Sequence, residues 1–306
     1  MDENLFSIVV PAFNAARFIT KALESVRDQT YRRWEVIVVN DGGTDTTPNI
    51  VAEFSRSVAQ PVHLVTHAQN RGLSAARNSA IEAADGAYIA LLDADDFWLP
   101  DHLESLYAIL RPGKADLAYS DAYVFRETRT GEVELLPIET VDVTDPGRDL
   151  FRRNYINPSG AAFTRRLAEK VGEFDRNLRS VEDLDYWMRA AAHGFQIAGT
   201  GRQTYYYRKV EGSLSAHSAR MAEAVGEVFE KNRSCGVIPE GEIVDKARGS
   251  FIAAGKLYWR TDAAAAARNF HRAWALDKLR TQPLFYFLFA AGLRIMRPGR
   301  SAFAHR

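Results

Sequence analysis

LFSIVVPAFNAARFITKALESVRDQTYRRWEVIVVNDGGTDTTPNI, residues 5–50, sets two short runs rich in β-branched residues on either side of a stretch with helical spacing. The runs at 5–10 and 34–39 are short, apolar and bounded by turn-forming residues, which predicts buried strands. Between them, residues 17–29 carry Phe18, Ile19, Ala22, Leu23 and Val26 on one helix face. The alternation continues outward. A helix is expected over 46–57, with Ile50, Val51 and Phe54 on one side, then a strand over 62–66, an Ala-rich helix over 73–84, and a strand over 88–92 that ends at Asp93. Strands alternating with helices predict an α/β fold with a mainly parallel sheet covered by helices on both faces. Ligands of such sheets lie beyond the carboxyl ends of the strands.

After Pro100 the pattern loosens. A helix is expected over 101–110, a strand over 116–120, and a hairpin over 123–137 turning at Thr130 and Gly131. A strong helix follows over 182–193, then strands over 195–199 and 204–208. From residue 218 the pattern is helical, with breaks near 236–239, 261–262 and 281–283, and residues 255–276 have the spacing of one helix pair. Lys plus Arg equals Asp plus Glu at 39 each, so no charge excess exists to hold nucleic acid, and any anion site must be local. The single cysteine, Cys235, can close no internal disulfide and fits a reducing, cytoplasmic setting. The N-terminus lacks the basic start and long apolar run of a signal peptide. The apolar run at 283–296 is too short to span a bilayer and is interrupted by Arg294. With Arg297 and Arg300 following, it reads equally as a buried helix or as a helix lying peripherally on the inner face of the plasma membrane.

Four strand ends carry the polar residues. They are Pro11-Ala12-Phe13-Asn14, then Asn40-Asp41-Gly42-Gly43-Thr44-Asp45, then Asn70-Arg71-Gly72 with Arg77-Asn78 beyond it, then Asp93-Ala94-Asp95-Asp96. A doubly wound sheet brings all four to one rim. Three carboxylates in four residues repel one another when partly buried, and a hard divalent cation such as Mn²⁺ or Mg²⁺ relieves that. The bland alternative is an acidic turn capping the helix at 101. Asp41, in a Gly-rich turn, can accept hydrogen bonds from a base or ribose; the alternative is a plain turn in which Thr44, Asp45 or Thr46 caps a helix. Arg71 and Arg77 suit bases and diphosphate, or else a salt bridge to the acidic cluster, an alternative that weighs more for Arg77 than for the loop residue Arg71. His63 and His67 read as structural. Tyr205, Tyr206 and Tyr207, like Trp98 and Trp187, read as core or as surfaces for sugar or base.

These strings resemble glycosyltransferase family 2 and its GT-A fold. The resemblance is carried by VVPAFNAARFITKALESVRDQTYRRWEVIVVNDGGTDTT (9–47), NRGLSAARN (70–78) and IALLDADDFWLPDHL (89–103). It continues more weakly through VEDLDYWMRAAAHG (181–194) and YYYRKVEGSLS (205–215). It implies a GT-A domain over 1–215, with a nucleotide-sugar half (1–100) and an acceptor half (101–215), and a C-terminal helical region over 216–306. It implies that Pro11, Phe13, Asn14 and Asp41 surround the nucleotide, with Asp41 reading the base. Arg71 and Arg77 would lie near base or diphosphate. Asp93 and Ala94 would lie at the sugar nucleotide, with Asp93 on the ribose, Asp95 would bind the metal, and Asp96 would support the site. Asp183, beside Glu182, matches the general base, with Asp185 as the in-helix rival.

A base at that position also makes chemical sense, because displacement at an anomeric carbon needs the attacking hydroxyl deprotonated. The alternative is acid at a helix N-terminus, favourable to the dipole. Two departures from the family pattern stand out. Gly43 replaces a serine, and Val210 stands where relatives often have a histidine, leaving His217 or Arg208 as substitutes. The expected activity is transfer of a single sugar, hexosyl or N-acetylhexosaminyl, from a nucleotide-diphosphate sugar, UDP by resemblance. The expected acceptor is a glycan or a lipid-linked intermediate of polysaccharide synthesis, attacked with inversion. The rivals are a nucleotidyltransferase, a dinucleotide-dependent oxidoreductase and a catalytically silent nucleotide-sugar binding protein. The first needs a Gly-rich basic loop after the first strand and the second Gly-x-Gly-x-x-Gly, whereas residues 11–17 contain no glycine.

Overall fold

The computed structural model describes residues 3–111, 113–127, 133–137, 143–210, 218–278, 283, 286 and 287. Thr130, Gly131, His217, Arg294, Arg297 and Arg300 lie outside the described residues, as does most of the 283–296 run. The chain forms two compact units, Met1–Val210 and Glu211–Arg306.

The first unit opens with β1 (Phe6–Ala12), α1 (Ile19–Arg27), β2 (Trp34–Asp41), α2 (Thr47–Ser57), β3 (Val62–His67), α3 (Leu73–Glu82) and β4 (Tyr88–Leu91). These are the expected elements to within two residues at each end. β5 (Phe97–Trp98), α4 (His102–Leu110), β6 (Leu117–Glu127), β7 (Val133–Leu135) and α5 (Pro146–Asp149) follow. A 3₁₀ turn (Pro158–Gly160), β8 (Ala161–Thr164), α6 (Arg165–Val171), α7 (Glu182–Ala192) and β9 (Ile197–Arg208) complete the unit. Among the described residues the strand order is β3-β2-β1-β4-β8-β6-β9-β5, with β7 paired to β6. β1 to β4 are mutually parallel. β2 is buried at all eight positions because sheet neighbours and helices cover both its faces, whereas β3, at the edge, is largely exposed. Ile8, Val10, Val36 and Val38 pack under Leu23, Val26, Phe54 and Leu106. Each such side chain contributes about 1.5–3 kcal/mol by leaving water.

Two features differ from the expectation. Residues 195–199 and 204–208 are not separate strands. β9 runs through, parallel to β6, with register shifts near Asp121 that absorb the polar stretch Thr200–Gln203 as an irregularity. β8 inserts antiparallel between β4 and β6. Its four residues, AAFT, carry no alternation from which a strand could be read.

The second unit comprises α8 (Ser218–Lys231), α9 (Glu240–Tyr258) and α10 (Ala263–Leu276). α9 packs against both others, and the Asp262 carboxylate caps α10 by accepting from Ala265 N–H at 2.9 Å. Among the described residues no helix is long and apolar enough to cross a membrane.

Candidate active site

The ends of β1 and β2 are stitched together by side chains. Asn14, with φ of 49°, accepts from Thr44 N–H at 2.9 Å. Asp45 accepts from Ala16 N–H at 2.8 Å and from Thr47 N–H at 3.0 Å, so of the three candidate caps it is Asp45 that closes the start of α2. Gly42 holds φ of +71°, and a Cβ there would lie 2.3 Å from the Gln69 carbonyl carbon. A Cβ on Gly43 would lie 2.7 Å from Asn40 Oδ1 and 2.9 Å from Asn14 N. A side chain at Gly43 would therefore press on both turns. Phe13 stands 53% exposed at this rim, unusual for so large an apolar side chain, while Pro11 is buried.

Asp41 is buried at the end of β2. Its Oδ1 accepts from Arg71 N–H (2.9 Å) and its Oδ2 from Gly72 N–H (2.8 Å), and the His67 ring Nδ1 lies 2.6 Å from Oδ1. This carboxylate thus anchors the loop carrying Arg71, whose side chain is exposed.

The three aspartates after β4 have separate surroundings. Asp93 accepts from Arg77 Nη2 at 2.8 Å. Asp96 is buried, accepting from Ser159 Oγ–H at 2.5 Å and Arg208 N–H at 2.8 Å. Burial and the neighbouring Asp95 and Asp93 charges push its carboxyl well up. Asp95 is half-buried, and burial followed by the Asp93 charge raises its pKa to about 6. Among the described residues no three His, Cys, Asp or Glu side chains gather into a metal-holding group. Two of the three aspartates are already engaged by protein donors, which leaves Asp95 as the candidate cation ligand. Burial and the Asp93 charge there outweigh the Arg208 charge, a balance that a bound cation would shift toward the ionised form. This fits Mg²⁺ or Mn²⁺, which take one or two carboxylates and complete their shell with substrate phosphate and water. The Arg208 guanidinium donates to the Asp95 carbonyl at 2.9 Å and pairs with Glu127, so it braces this loop's backbone.

Arg77 is where the acidic loop and α7 meet. It is 1% exposed and donates to Asp93 and, at 2.5 Å, to Glu182. Of its two sequence readings, ligand or salt bridge, the structure shows the ion pair. Burial alone would lower its pKa, but the two carboxylates outweigh that and raise it. Glu182 begins α7, and Asp183 follows, buried, accepting from Asn154 Nδ2–H at 3.0 Å. Burial first, then the Glu182 charge, raise the Asp183 pKa to about 6. The preceding Val181 holds φ of 53°, a left-handed conformation that costs a β-branched residue on the order of 1–3 kcal/mol. Asp185, the in-helix rival, is fully buried and paired with Arg189.

A family model for glycosyl transferase family 2 matches residues 7–171, more than half of the chain. The chain belongs to glycosyl transferase family 2. A relative described as a teichuronic acid biosynthesis glycosyltransferase, TuaG of Bacillus subtilis, is 27% identical over 228 residues, 74% of this chain and 88% of that protein. An Escherichia coli UDP-Glc:α-D-GlcNAc-diphosphoundecaprenol β-1,3-glucosyltransferase, WfgD, is 36% identical over 121 residues, 40% of this chain and 47% of that protein. Among solved structures, Staphylococcus aureus TarS 1–349 in complex with UDP-GlcNAc superimposes with a TM-score of 0.67 at 16% identity, covering 96% of this chain and 93% of that one. The fold is GT-A.

Several supports of this family 2 site were not evident in the sequence. Ser159 accepts from Asp93 N–H and donates to Asp96, and its carbonyl accepts from Trp98 Nε1–H. Asn154 reaches Asp183 from the same segment. Their only sequence signal is the turn string Asn157-Pro158-Ser159-Gly160. Trp98 and Trp187 are buried with their indole N–H groups on backbone carbonyls, so they pack rather than stack on ligand. Tyr205 is core, while Tyr206 stacks between Phe97 and Tyr123.

Proposed function

We propose that this family 2 enzyme transfers a single sugar from a UDP-sugar to an acceptor hydroxyl with inversion, using Asp183 as general base. Residues 1–100 bind the nucleotide sugar through Pro11, Phe13, Asn14, Asp41, Arg71, Asp93 and Ala94; residues 101–215 complete the acceptor side. The observation that carries the reading is the Glu182–Arg77–Asp93 bridge, which ties the start of the helix bearing Asp183 to the loop bearing Asp95.

The acceptor oxygen attacks the anomeric carbon as the bond from that carbon to the diphosphate oxygen breaks. Asp183 takes the hydroxyl proton. A carboxyl with a pKa near 6 is ionised at neutral pH yet basic enough to accept it. One base opposite the leaving group gives inversion. Asp95 would hold a Mn²⁺ or Mg²⁺ ion, which supplies neutralisation of the departing diphosphate. Asp41 has an acceptor position left on Oδ2, which suits the imide N–H of uracil. The E. coli relative's UDP-Glc donor and diphosphoundecaprenol-linked acceptor make a UDP-sugar and a lipid-linked glycan the first pair to assay.

The test is Asp183→Asn. Isothermal titration with UDP and Mn²⁺ should give a Kd within about twofold of the parent, while transfer falls at least ~100-fold. Near-normal turnover would remove Asp183 from the mechanism.

A further inference from the structure

His67 ends β3 with its ring buried, and both ring nitrogens are engaged. Nδ1 lies 2.6 Å from Asp41 Oδ1 and Nε2 lies 2.9 Å from Ser79 Oγ. An ionised carboxylate only accepts, so Nδ1 must carry the proton. Nε2 then accepts from the Ser79 hydroxyl when the ring is neutral. Ser79 sits on α3, so the ring is pinned between a helix and the Asp41 carboxylate. The Arg71 and Gly72 amides already bind that carboxylate, at 2.9 and 2.8 Å. With Nδ1–H, three donors fix its orientation and the course of loop 70–72 together. A carboxylate has about four acceptor positions, so one is left, on Oδ2.

From this geometry we infer that His67 is a positioning residue for nucleotide recognition. Its Nδ1–H holds Asp41 so that the remaining acceptor position and the Arg71 loop are set before the nucleotide arrives. The inference rests on the proposed nucleotide role of Asp41. Without the ring, Asp41 can rotate about its side-chain bonds, and the loop follows it. The loss would then appear in nucleotide affinity rather than in the chemical step, because the proposed base, Asp183, lies on α7, and Arg77, although on α3, is held by Asp93 and Glu182 rather than by the ring.

The side-chain amide of asparagine can stand in for Nδ1–H and that of glutamine for Nε2. The experiment compares His67→Asn, His67→Gln and His67→Phe by UDP titration with Mn²⁺, by KM and kcat for the donor, and by melting temperature. His67→Asn should keep the UDP Kd within about threefold. The other two should raise Kd and KM about tenfold or more, with kcat at saturating donor within about threefold. A purely structural ring would instead lower the melting temperature of all three and leave the Kd of the folded fraction unchanged, which overturns the inference. Nitrogen-15 spectra of the unaltered protein give a readout that needs no variant. Nδ1 should be protonated and its resonance should shift on adding UDP, and an Nδ1 without a proton overturns the inference. If the unaltered protein binds UDP and the variants match it, only the role of His67 fails. If it binds neither UDP nor GDP, the nucleotide reading fails and this inference with it.

Discussion

Replacing Arg77 with methionine should break the site at its buried hinge. Arg77 is 1% exposed, and its two partners differ, since the Glu182 side chain is 6% exposed and that of Asp93 is 26% exposed. Methionine fills much of the volume and keeps the apolar packing on Phe174, over whose ring the guanidinium lies at 5.6 Å. It leaves Glu182 as a buried charge without its cation, a situation that costs about 3–5 kcal/mol. With a urea m-value of about 2 kcal/mol/M, the unfolding midpoint of the first unit should fall by about 1.5–2.5 M. Arg77→Met with Glu182→Gln removes the stranded charge and should recover at least ~1 kcal/mol, a coupling that a double-mutant cycle reads directly. Arg77 also lowers the Asp183 pKa, against the burial that raises it. Its loss should therefore move the acid limb of the transfer rate to higher pH. Urea denaturation followed by tryptophan fluorescence, and initial rates from pH 5 to 8, measure both. A midpoint within about 0.3 M of the parent, or an unmoved acid limb, would refute the idea that Arg77 couples the base to the acidic loop.

The proposed role of Asp183 as general base predicts a pH dependence for the unaltered enzyme. With its pKa raised to about 6, the base form is lost as pH falls through that value, so transfer should drop at least about tenfold per unit below pH 6, and more steeply where Asp95 is protonated too. The same shift has a stability sign. The folded state takes up this proton more readily than the unfolded chain, so the penalty for burying the charge is absent below about pH 4 and complete above about pH 6. Asp183→Asn should therefore stabilise the fold at pH 7 by on the order of 2–3 kcal/mol, and that gain should vanish by pH 4 in urea titrations. Asp95→Ala should abolish the difference between UDP affinities measured with Mn²⁺ and with chelator; a difference that persists would place the cation elsewhere. Gly42→Ala forces a Cβ against the Gln69 carbonyl carbon at positive φ, so it should cost at least ~2 kcal/mol and weaken UDP binding, by thermal unfolding and calorimetry.

The parallel half of the sheet was readable from residues 5–92 because its strands are buried on both faces and its helices amphipathic, so period and burial coincide. The strand ends bearing Asp41, Arg71 and Asp93 followed from that order alone, since parallel neighbours must emerge on one rim. β8 and the 154–160 segment were not readable. AAFT and NYINPSG have no periodicity, and they earn their places only through the partners they meet, namely β4 and β6 for the first, Asp96 and Asp183 for the second. The sequence likewise left Arg77 between two uses and gave His67 a merely structural one. Those assignments depend on which groups approach from segments 16 and 105 residues away for Arg77, and 26 and 12 for His67.

Local pattern, then, determined the elements and the rim, because backbone propensity and one-sided burial act over a few residues at a time. Tertiary structure alone decided which carboxylates are braced by protein donors and which are raised toward neutral pH. Those properties are set by desolvation and by hydrogen bonds between groups that meet only when the sheet is complete.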